Sequence, residues 1–169
     1  IVGVSQSGET ADTLSGIQEA RERGALTIGL VNVVGSSITR ATDGGVHLRV
    51  GPEIGVASTK AFVGQVTTAV MFAAYLGRRR YLSNTQSVSL LTALEEIPDK
   101  LEQVCQLGEV AKAVAERHVH RENWLFLGRG YNYPVALEGA LKLKEISYIH
   151  AEGMPAAEMK HGPIALIDE

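Results

Sequence analysis

The chain has 169 residues, of which 45% are hydrophobic, 21% charged and only 5% aromatic, and its formal net charge is −3. This composition is that of an ordinary globular α/β protein, and the negative charge argues against nucleic acid or an anionic membrane as the main partner. The single Cys105 excludes an internal disulfide framework and fits a reducing compartment, and no run approaches the length of a membrane span, so we expect a cytoplasmic protein.

The first half of the chain alternates short apolar runs with helical patterns. Apolar runs rich in β-branched residues are typical of parallel strands covered on both faces, so this half predicts a doubly wound α/β sheet. The predicted elements are a strand at 1–4, a helix at 11–23 followed by Gly24, a strand at 26–32, a short helix capped by Ser37, a turn at 43–45 and a strand at 46–50.

The second half predicts a long apolar helix, a helical connection and a second strand–loop–helix motif. Pro98 is expected to break the connection, because proline begins a helix far more readily than it continues one. The predicted elements are a helix at 58–76, helical patterns over 84–122, a strand at 124–127, a helix at 134–149, a turn at 152–155, a helical turn at 156–160 and a strand at 164–167.

These elements predict a first domain at 1–80, a helical connection at 81–122 and the start of a second domain at 123–169. The chain begins without Met inside a predicted strand and stops just after another apolar run. We therefore expect it to be a piece of a longer protein.

The stretch SQSGET, residues 5–10, joins the first predicted strand to the first predicted helix. The N-terminus of a helix offers unpaired N–H groups and a positive dipole end, and Ser5, Ser7 and Thr10 add hydroxyl donors around Gly8. Such residues often do no more than cap a helix, so capping and anion binding both stay open for this loop. A second hydroxyl-bearing helix start, at Ser58, carries the same two interpretations.

The helical pattern at 136–150 carries charges at Glu138, Lys142 and Glu145, four and three residues apart and therefore on one face. An exposed ladder of ion pairs is one interpretation. The other is an active site, because the rest of this helix is apolar and closely packed, and a partly buried carboxylate beside a lysine can transfer protons between adjacent sugar carbons.

Three histidines need an interpretation. His161 stands before Gly-Pro, where it is either structural or a group that titrates near neutral pH and assists sugar-ring opening. His118 and His120 are poorly spaced for a shared metal ion, and we expect both to face solvent.

Four segments together resemble the isomerase half of the glutamine–fructose-6-phosphate aminotransferases, also called glucosamine-6-phosphate synthases. The resemblance covers the chain from end to end and implies flavodoxin-like sugar-isomerase (SIS) domains, each a three-layer parallel sheet with helices on both faces, here as two truncated subdomains joined by helices. The segments are SQSGETADT (5–13), EIGVASTKAF (53–62), LGRGYNYPVALEGALKLKEISYIHAE (127–152) and EMKHGPIALID (158–168).

The resemblance also implies roles for nine residues and no metal or organic cofactor. The implied roles are phosphate binding by Ser5, Gln6, Ser7 and Thr10, contact with the sugar by Val56 and Ser58, C1–C2 proton transfer by Glu145 with Lys142 beside it, and ring opening by His161.

By resemblance, the implied partners are a sugar-phosphate substrate, a second subunit whose site receives His161, and a glutaminase domain elsewhere in the longer protein. The family's first strand and helix, its glutaminase cysteine and its Schiff-base lysine have no counterpart in these residues, so we expect this chain not to complete the reaction alone. A related deglycase or phosphosugar isomerase stays open as an alternative, and so does a non-catalytic sugar-phosphate-binding module.

Overall fold

The computed structural model describes residues 1–167, so the last two residues of the predicted second domain, Asp168 and Glu169, lie outside the described residues. The chain divides into two compact units. The first comprises Ile1–Ile54 and Ser58–Val104, and the second comprises Gly55–Ala57 and the residues from Cys105 onward. Each unit is described by itself, and the division at residues 80 and 122 stays a prediction.

The first unit contains a three-stranded parallel sheet in the order β1-β2-β3, which confirms the predicted α/β class. The register pairs Ser5 with Val31 and Val31 with His47, so the carboxyl ends of all three strands lie at one edge. Its strands and the helices between them are β1 (Val2–Ser5), α1 (Ala11–Glu22), β2 (Ile28–Val31), α2 (Ser37–Ala41) and β3 (Gly44–His47).

The core of the first unit lies where α1 and α2 cover the sheet. Ile17 of α1, Val31 of β2 and Ile38 of α2 are almost fully buried and form one cluster, against which Leu14 and Ala41 pack. Burying such a side chain contributes about 1.5–3 kcal/mol. The core therefore fixes both helices next to the carboxyl end of β2.

The third strand begins earlier than predicted: Gly44 and Gly45 are paired residues of β3 and not a turn. Asp43 aligns this start, because its carboxylate accepts hydrogen bonds from the backbone N–H of Thr27 (2.9 Å) and from its hydroxyl (2.8 Å). A Cβ on Gly45 would collide with the carbonyl oxygen of Gly29 on the neighbouring strand. The glycine is therefore needed for the close approach of the strands.

Four helices follow β3: α3 (Lys60–Arg78), α4 (Asn84–Glu95), α5 (Ile97–Cys105) and α6 (Gly108–His118). Pro98 is the second residue of α5, as the predicted break requires. Ser83 and Gln86 form a reciprocal capping box at the start of α4. Among residues 1–167, no helix is both long enough and apolar enough to cross a bilayer.

The second unit holds a parallel pair of strands joined by a helix: β4 (Asn123–Gly128), α7 (Asn132–Ser147) and β5 (His150–Pro155). Two short 3-10 helices follow, Ala156–His161 and Pro163–Leu166. The predicted turn at 152–155 is therefore wrong, and so is the predicted strand at 164–167. Gly153 lies in the strand because α7 packs directly on it: a Cβ there would come within 2.7 Å of the Leu137 Cα.

The second correction has a local cause. Pro163 occupies the first turn of the last 3-10 helix, and the N–H of Ala165 bonds to the carbonyl of Gly162 at 2.9 Å. Proline is well suited to a first helical turn, and the turn closes before an extended conformation can begin.

Candidate functional site

The loop of residues 5–10 runs from the carboxyl end of β1 into α1, as predicted. The buried Ser5 hydroxyl accepts a hydrogen bond from the Gly8 N–H at 3.0 Å and lies 3.1 Å from the Thr10 hydroxyl. The Ser7 hydroxyl accepts from the Glu9 N–H at 3.2 Å. Gly8 has φ +70°, a left-handed conformation that glycine adopts without the cost a Cβ brings. Three hydroxyls and a helix N-terminus are thus gathered in one loop.

The simple capping interpretation is not what this geometry shows. Thr10 stands at the N-cap position of α1, yet within residues 1–167 no side chain makes the capping hydrogen bond to that helix. The start of α1 thus keeps the unpaired N–H groups that attract anions. Gln6 and Ser7 are half-buried beside them.

The same loop is braced by the start of α2. The Gly8 carbonyl accepts from the Ile38 N–H at 2.9 Å, and the Glu9 carboxylate accepts from the Ser37 N–H at 2.8 Å. Hydrogen bonds from Ser37, and to a lesser degree the charge of Arg40, hold the pKa of Glu9 below its ordinary value. The N-cap of α2 is Ser36, one residue before the predicted Ser37, and its hydroxyl bonds to that of Thr39 and not to the backbone.

The start of the segment after β3 lies at the same edge of the sheet, and the segment leads to Ser58, a predicted sugar contact. Glu53 organises its end: its carboxylate accepts from the Ser58 hydroxyl and from the Thr59 N–H, both at 2.8 Å. The hydrogen bond from the Thr59 N–H lowers the pKa of Glu53 most, and the one from the Ser58 hydroxyl lowers it further. Ser58 is half-buried, whereas Val56 is 91% exposed.

The charged face of α7 is the second candidate group. The Lys142 Nζ lies 2.6 Å from the Glu145 Oε2 and 3.3 Å from the Glu138 Oε1, which confirms that the three side chains share one face. They are only partly accessible, at 20% for Lys142, 24% for Glu138 and 30% for Glu145. A solvated ladder of ion pairs would be more exposed than this.

The packing of α7 explains this partial burial. Ala136 and Ala140 are buried, and a Cβ on Gly139 would lie 2.9 Å from the ring of Phe126 in β4. Small residues thus let the helix lie close to the strand. The hydrogen bond to Glu145 raises the pKa of Lys142 most, and Glu138 adds to the effect against the cost of desolvation. Lys142 therefore stays cationic between two carboxylates over the whole physiological range.

The histidines differ in their exposure to solvent, and one of them is less exposed than predicted. His161 ends the 3-10 helix Ala156–His161 and is exposed. His120 is exposed as predicted, whereas His118 is half-buried, and its ring meets the edge of Trp124 at a centroid distance of 6.0 Å. The solvent-facing prediction is therefore wrong for His118, because β4 places an indole ring against it.

Two residues that sequence reasoning missed hold the first unit's loops in place. Asn32 joins the loop of residues 5–10 to the segment after β3, and Glu53 joins the two ends of that segment. In the sequence, Asn32 ends the predicted strand at 26–32 and Glu53 follows the predicted strand at 46–50, and ligands of such sheets bind at the carboxyl ends of the strands.

A parallel sheet with a hydroxyl-lined loop at the carboxyl end of its first strand defines an α/β protein of the kind that binds ligands at strand ends. Within that class the chain belongs to the SIS-domain family, whose model matches residues 1–75 and 119–169. The matched residues include the loop of residues 5–10 and the whole of α7.

The chain is also similar to named proteins over its full length. It is 56% identical to the glutamine–fructose-6-phosphate aminotransferase [isomerizing] of Bacteroides thetaiotaomicron over 169 residues, which are 99% of this chain and 28% of that protein. For the enzyme of the same name from Chlorobaculum tepidum the identity is 55%, over 100% of this chain and 28% of that protein. The chain thus spans about a quarter of the length of these curated relatives.

Among solved structures, the C-terminal domain of glucosamine-fructose-6-phosphate aminotransferase from Francisella tularensis superposes with a TM-score of 0.95. The identity is 41%, and the match covers 99% of this chain and 48% of that chain. The similarity therefore extends to the fold of the whole described region.

Proposed function

We propose that this chain is part of the isomerase portion of an amidotransferase that makes D-glucosamine 6-phosphate from D-fructose 6-phosphate and ammonia released from glutamine. The observation that carries the proposal is the 2.6 Å pair of Lys142 and Glu145 on a partly buried helix face. A module that only binds sugar phosphates has no need of a base held in this way. The names of the full-length relatives supply the substrate and the nitrogen donor.

The loop of residues 5–10 binds the phosphate of the substrate. The hydroxyls of Ser5, Ser7 and Thr10, the amide of Gln6 and the free N–H groups of α1 are neutral donors, and several of them converging on one dianion replace its hydration shell. The hydroxyls already have partners within the loop, and they turn toward the phosphate when it arrives. Val56 and Ser58 contact the sugar that the phosphate carries.

Glu145 carries out the proton transfer. Ammonia first replaces the C2 carbonyl oxygen of the open-chain substrate as an imine, with loss of water. The Glu145 carboxylate then takes a proton from C1 and delivers it to C2, while the proton of the C1 hydroxyl passes to the nitrogen, so that an aldehyde and an amine result and the carboxylate is regenerated. Lys142 holds that carboxylate in place and, as a cation, stabilises negative charge that develops on a neighbouring substrate oxygen.

His161 assists the opening of the sugar ring. It is exposed at the end of a 3-10 helix, a position from which it can act in the site of a second subunit. The homodimer that this role requires, the glutaminase domain and the cytoplasmic location remain predictions.

The test is Glu145→Gln in the complete protein that carries this chain, because glutamine keeps the shape of the side chain and cannot act as the base. We expect the formation of glucosamine 6-phosphate to fall by about a thousandfold, within the usual range for general-base catalysis. We expect the dissociation constant of glucosamine 6-phosphate to change by less than about threefold, because a neutral side chain is still able to hydrogen-bond to the sugar.

The matched control is Glu116→Gln, the same substitution at an exposed position of α6. It should leave both turnover and binding unchanged. Lost binding with no measurable turnover in the wild-type protein would support the sugar-phosphate sensor instead. Conversion of a sugar phosphate without any need for glutamine or ammonia would support the related isomerase.

A further inference from the structure

Asn32 lies directly after β2 and connects two loops at the carboxyl edge of the sheet. Its backbone N–H donates to the Ser5 carbonyl at 3.4 Å. Its side-chain Nδ2 donates to the Gly51 carbonyl at 2.7 Å, and its Oδ1 accepts from the Val50 N–H at 3.1 Å. One residue therefore holds the loop of residues 5–10 and the segment that leads to Ser58.

The side chain of Asn32 matches its two partners in polarity. Val50 offers an N–H and Gly51 offers a carbonyl oxygen, and a carboxamide has one acceptor and one donor at the right separation to meet both. Aspartate would present an oxygen to the Gly51 carbonyl, and alanine would reach neither group. The requirement is therefore for this amide and not for a polar side chain in general.

The backbone to which the Asn32 side chain is hydrogen-bonded has an unfavourable conformation. Arg49 has φ 56° and Gly51 has φ +74°, so two left-handed residues flank Val50. A non-glycine residue such as Arg49 is uncommon in this region and persists where surrounding contacts enforce it. The two hydrogen bonds from Asn32 to Val50 and Gly51 are such contacts.

The turn at Val50 and Gly51 leads along the chain to Ser58, the predicted sugar contact. Pro52 accepts a hydrogen bond from the Lys60 Nζ at 2.6 Å, and Glu53 accepts from the Ser58 hydroxyl at 2.8 Å. The segment is thus anchored at its start by Asn32 and at its end by Glu53. Because the Ser58 proton is directed to Glu53, the Ser58 oxygen is left to accept a hydrogen bond from a sugar hydroxyl.

From this arrangement we propose that Asn32 is a positioning residue that sets the selectivity for a phosphate carrying a sugar over free phosphate. It fixes the segment that ends at Ser58 relative to the phosphate loop, while the phosphate loop itself is braced by α2. The inference rests on the proposed function, since it assumes that residues 5–10 bind the phosphate and that Ser58 contacts the sugar.

The experiment measures the dissociation constants of glucosamine 6-phosphate and of inorganic phosphate for the complete protein that carries this chain. We expect Asn32→Ala to weaken binding of the sugar phosphate by about tenfold, the effect of losing one or two hydrogen bonds. Binding of inorganic phosphate should change by less than about twofold, because its donors are untouched. The ratio of the dissociation constant of inorganic phosphate to that of glucosamine 6-phosphate therefore falls.

A second variant at Asn32 keeps the inference testable if Asn32→Ala does not fold, and a variant at a remote asparagine serves as the control. Asn32→Asp keeps the acceptor for Val50 and should also lower the ratio, because its added charge affects both phosphates alike and cancels in that ratio. Asn84→Ala, an exposed residue at the start of α4, should leave the ratio unchanged. Ser5→Ala should weaken both ligands together.

The outcomes separate the inference from the proposed function. If the wild-type protein prefers the sugar phosphate and both Asn32 variants keep that preference, the inference is overturned and the proposed function stands. If the wild-type protein binds the two ligands equally well, the proposed contact of Ser58 with the sugar fails, and the inference fails with it.

Discussion

The loop of residues 5–10 and the charged face of α7 are built on opposite electrostatic principles. The loop gathers hydroxyls and backbone N–H groups at a helix start and contains no lysine or arginine. The face of α7 places a cation between two carboxylates, at 2.6 and 3.3 Å. The donors of the loop are neutral and positioned by its backbone, whereas the side chains of the α7 group are charged and positioned by helical spacing.

The proposed function assigns binding to the loop and chemistry to the face of α7. Neutral donors bind a phosphate without requiring the burial of a counter-charge, whose desolvation would offset much of the gain. Charged side chains are used where a proton has to move: within the α7 group only a carboxylate can accept it, because Lys142 is already protonated. Changes in the loop should therefore alter affinity, and changes in α7 should alter turnover.

After Glu145→Gln, the largest effect should come from removing the cation of α7. Lys142→Met in the complete protein should lower kcat by about a hundredfold, since Glu145 loses its 2.6 Å partner and the reacting oxygen loses a positive charge. Binding of inorganic phosphate should stay the same. Steady-state kinetics and phosphate titration check the two halves of the prediction.

The control for this variant is Lys144→Met, an exposed lysine on the same helix. A similar loss of kcat in Lys144→Met would show that the effect does not depend on the ion pairs of Lys142 with Glu138 and Glu145. A loss of phosphate binding in Lys142→Met would break the separation between the two groups.

The next effect concerns the shape of the loop. Gly8→Ala should lower the free energy of unfolding by about 2–4 kcal/mol, because it combines a left-handed residue with overpacking. The new Cβ would meet the Ser36 side chain and lie 2.8 Å from Val31. Denaturant unfolding monitored by circular dichroism measures the change.

Gly35→Ala separates these two causes. Gly35 has φ +73°, but nothing lies within 4 Å of the Cβ it would gain. Only the conformational cost, about 1–2 kcal/mol, should appear. Equal losses in the two variants would mean that packing against α2 does not define the loop.

A smaller effect is expected from one hydroxyl. Ser5→Ala should weaken binding of glucosamine 6-phosphate by about tenfold, because it removes a donor and leaves the buried Gly8 N–H without its 3.0 Å acceptor. Ser15→Ala, on the exposed face of α1, is the matched control and should bind normally. Isothermal titration calorimetry decides the question, and unaltered affinity in Ser5→Ala would remove the loop from the phosphate site.

The smallest effect is a pH dependence of stability. The pKa of Lys142 is raised above its usual 10.5 by Glu145 and Glu138, so its ion pairs contribute stability that is fully present below pH 10.5. That contribution is lost as the pH rises through the folded-state pKa. The difference in unfolding free energy between the wild-type protein and Lys142→Met should therefore be constant at lower pH and shrink above 10.5. A difference that grows with alkaline pH would contradict the assigned pairing.

Elements with a strong local signal were predictable from the sequence. The apolar and helical periods predicted α1, α3 and α7, and the strands β1, β2 and β4, to within a few residues. The shared face of Glu138, Lys142 and Glu145 followed from helical spacing alone. In each case the sequence pattern that indicates the element lies within the element itself.

Two of the wrong predictions involve partners that are distant in the chain. Gly44-Gly45 and the stretch from Glu152 to Pro155 carry turn-forming residues, but both are strands because a neighbouring strand pairs with them. Glycine is required there by the Gly29 backbone in one case and the Leu137 backbone in the other. Composition cannot distinguish a glycine that turns the chain from one that lets another element come close.

The sequence by itself determined the α/β class, the hydroxyl-rich loop after the first strand and the charged face of α7, because each depends on the order and spacing of neighbouring residues. The tertiary structure alone decided that Asn32 grips the turn at Val50 and Gly51, and that Glu53 directs the proton of Ser58. The Asn32 contacts depend on the register of the parallel sheet, which brings the ends of its strands to one edge. That register is set by a core packed from residues far apart in the chain.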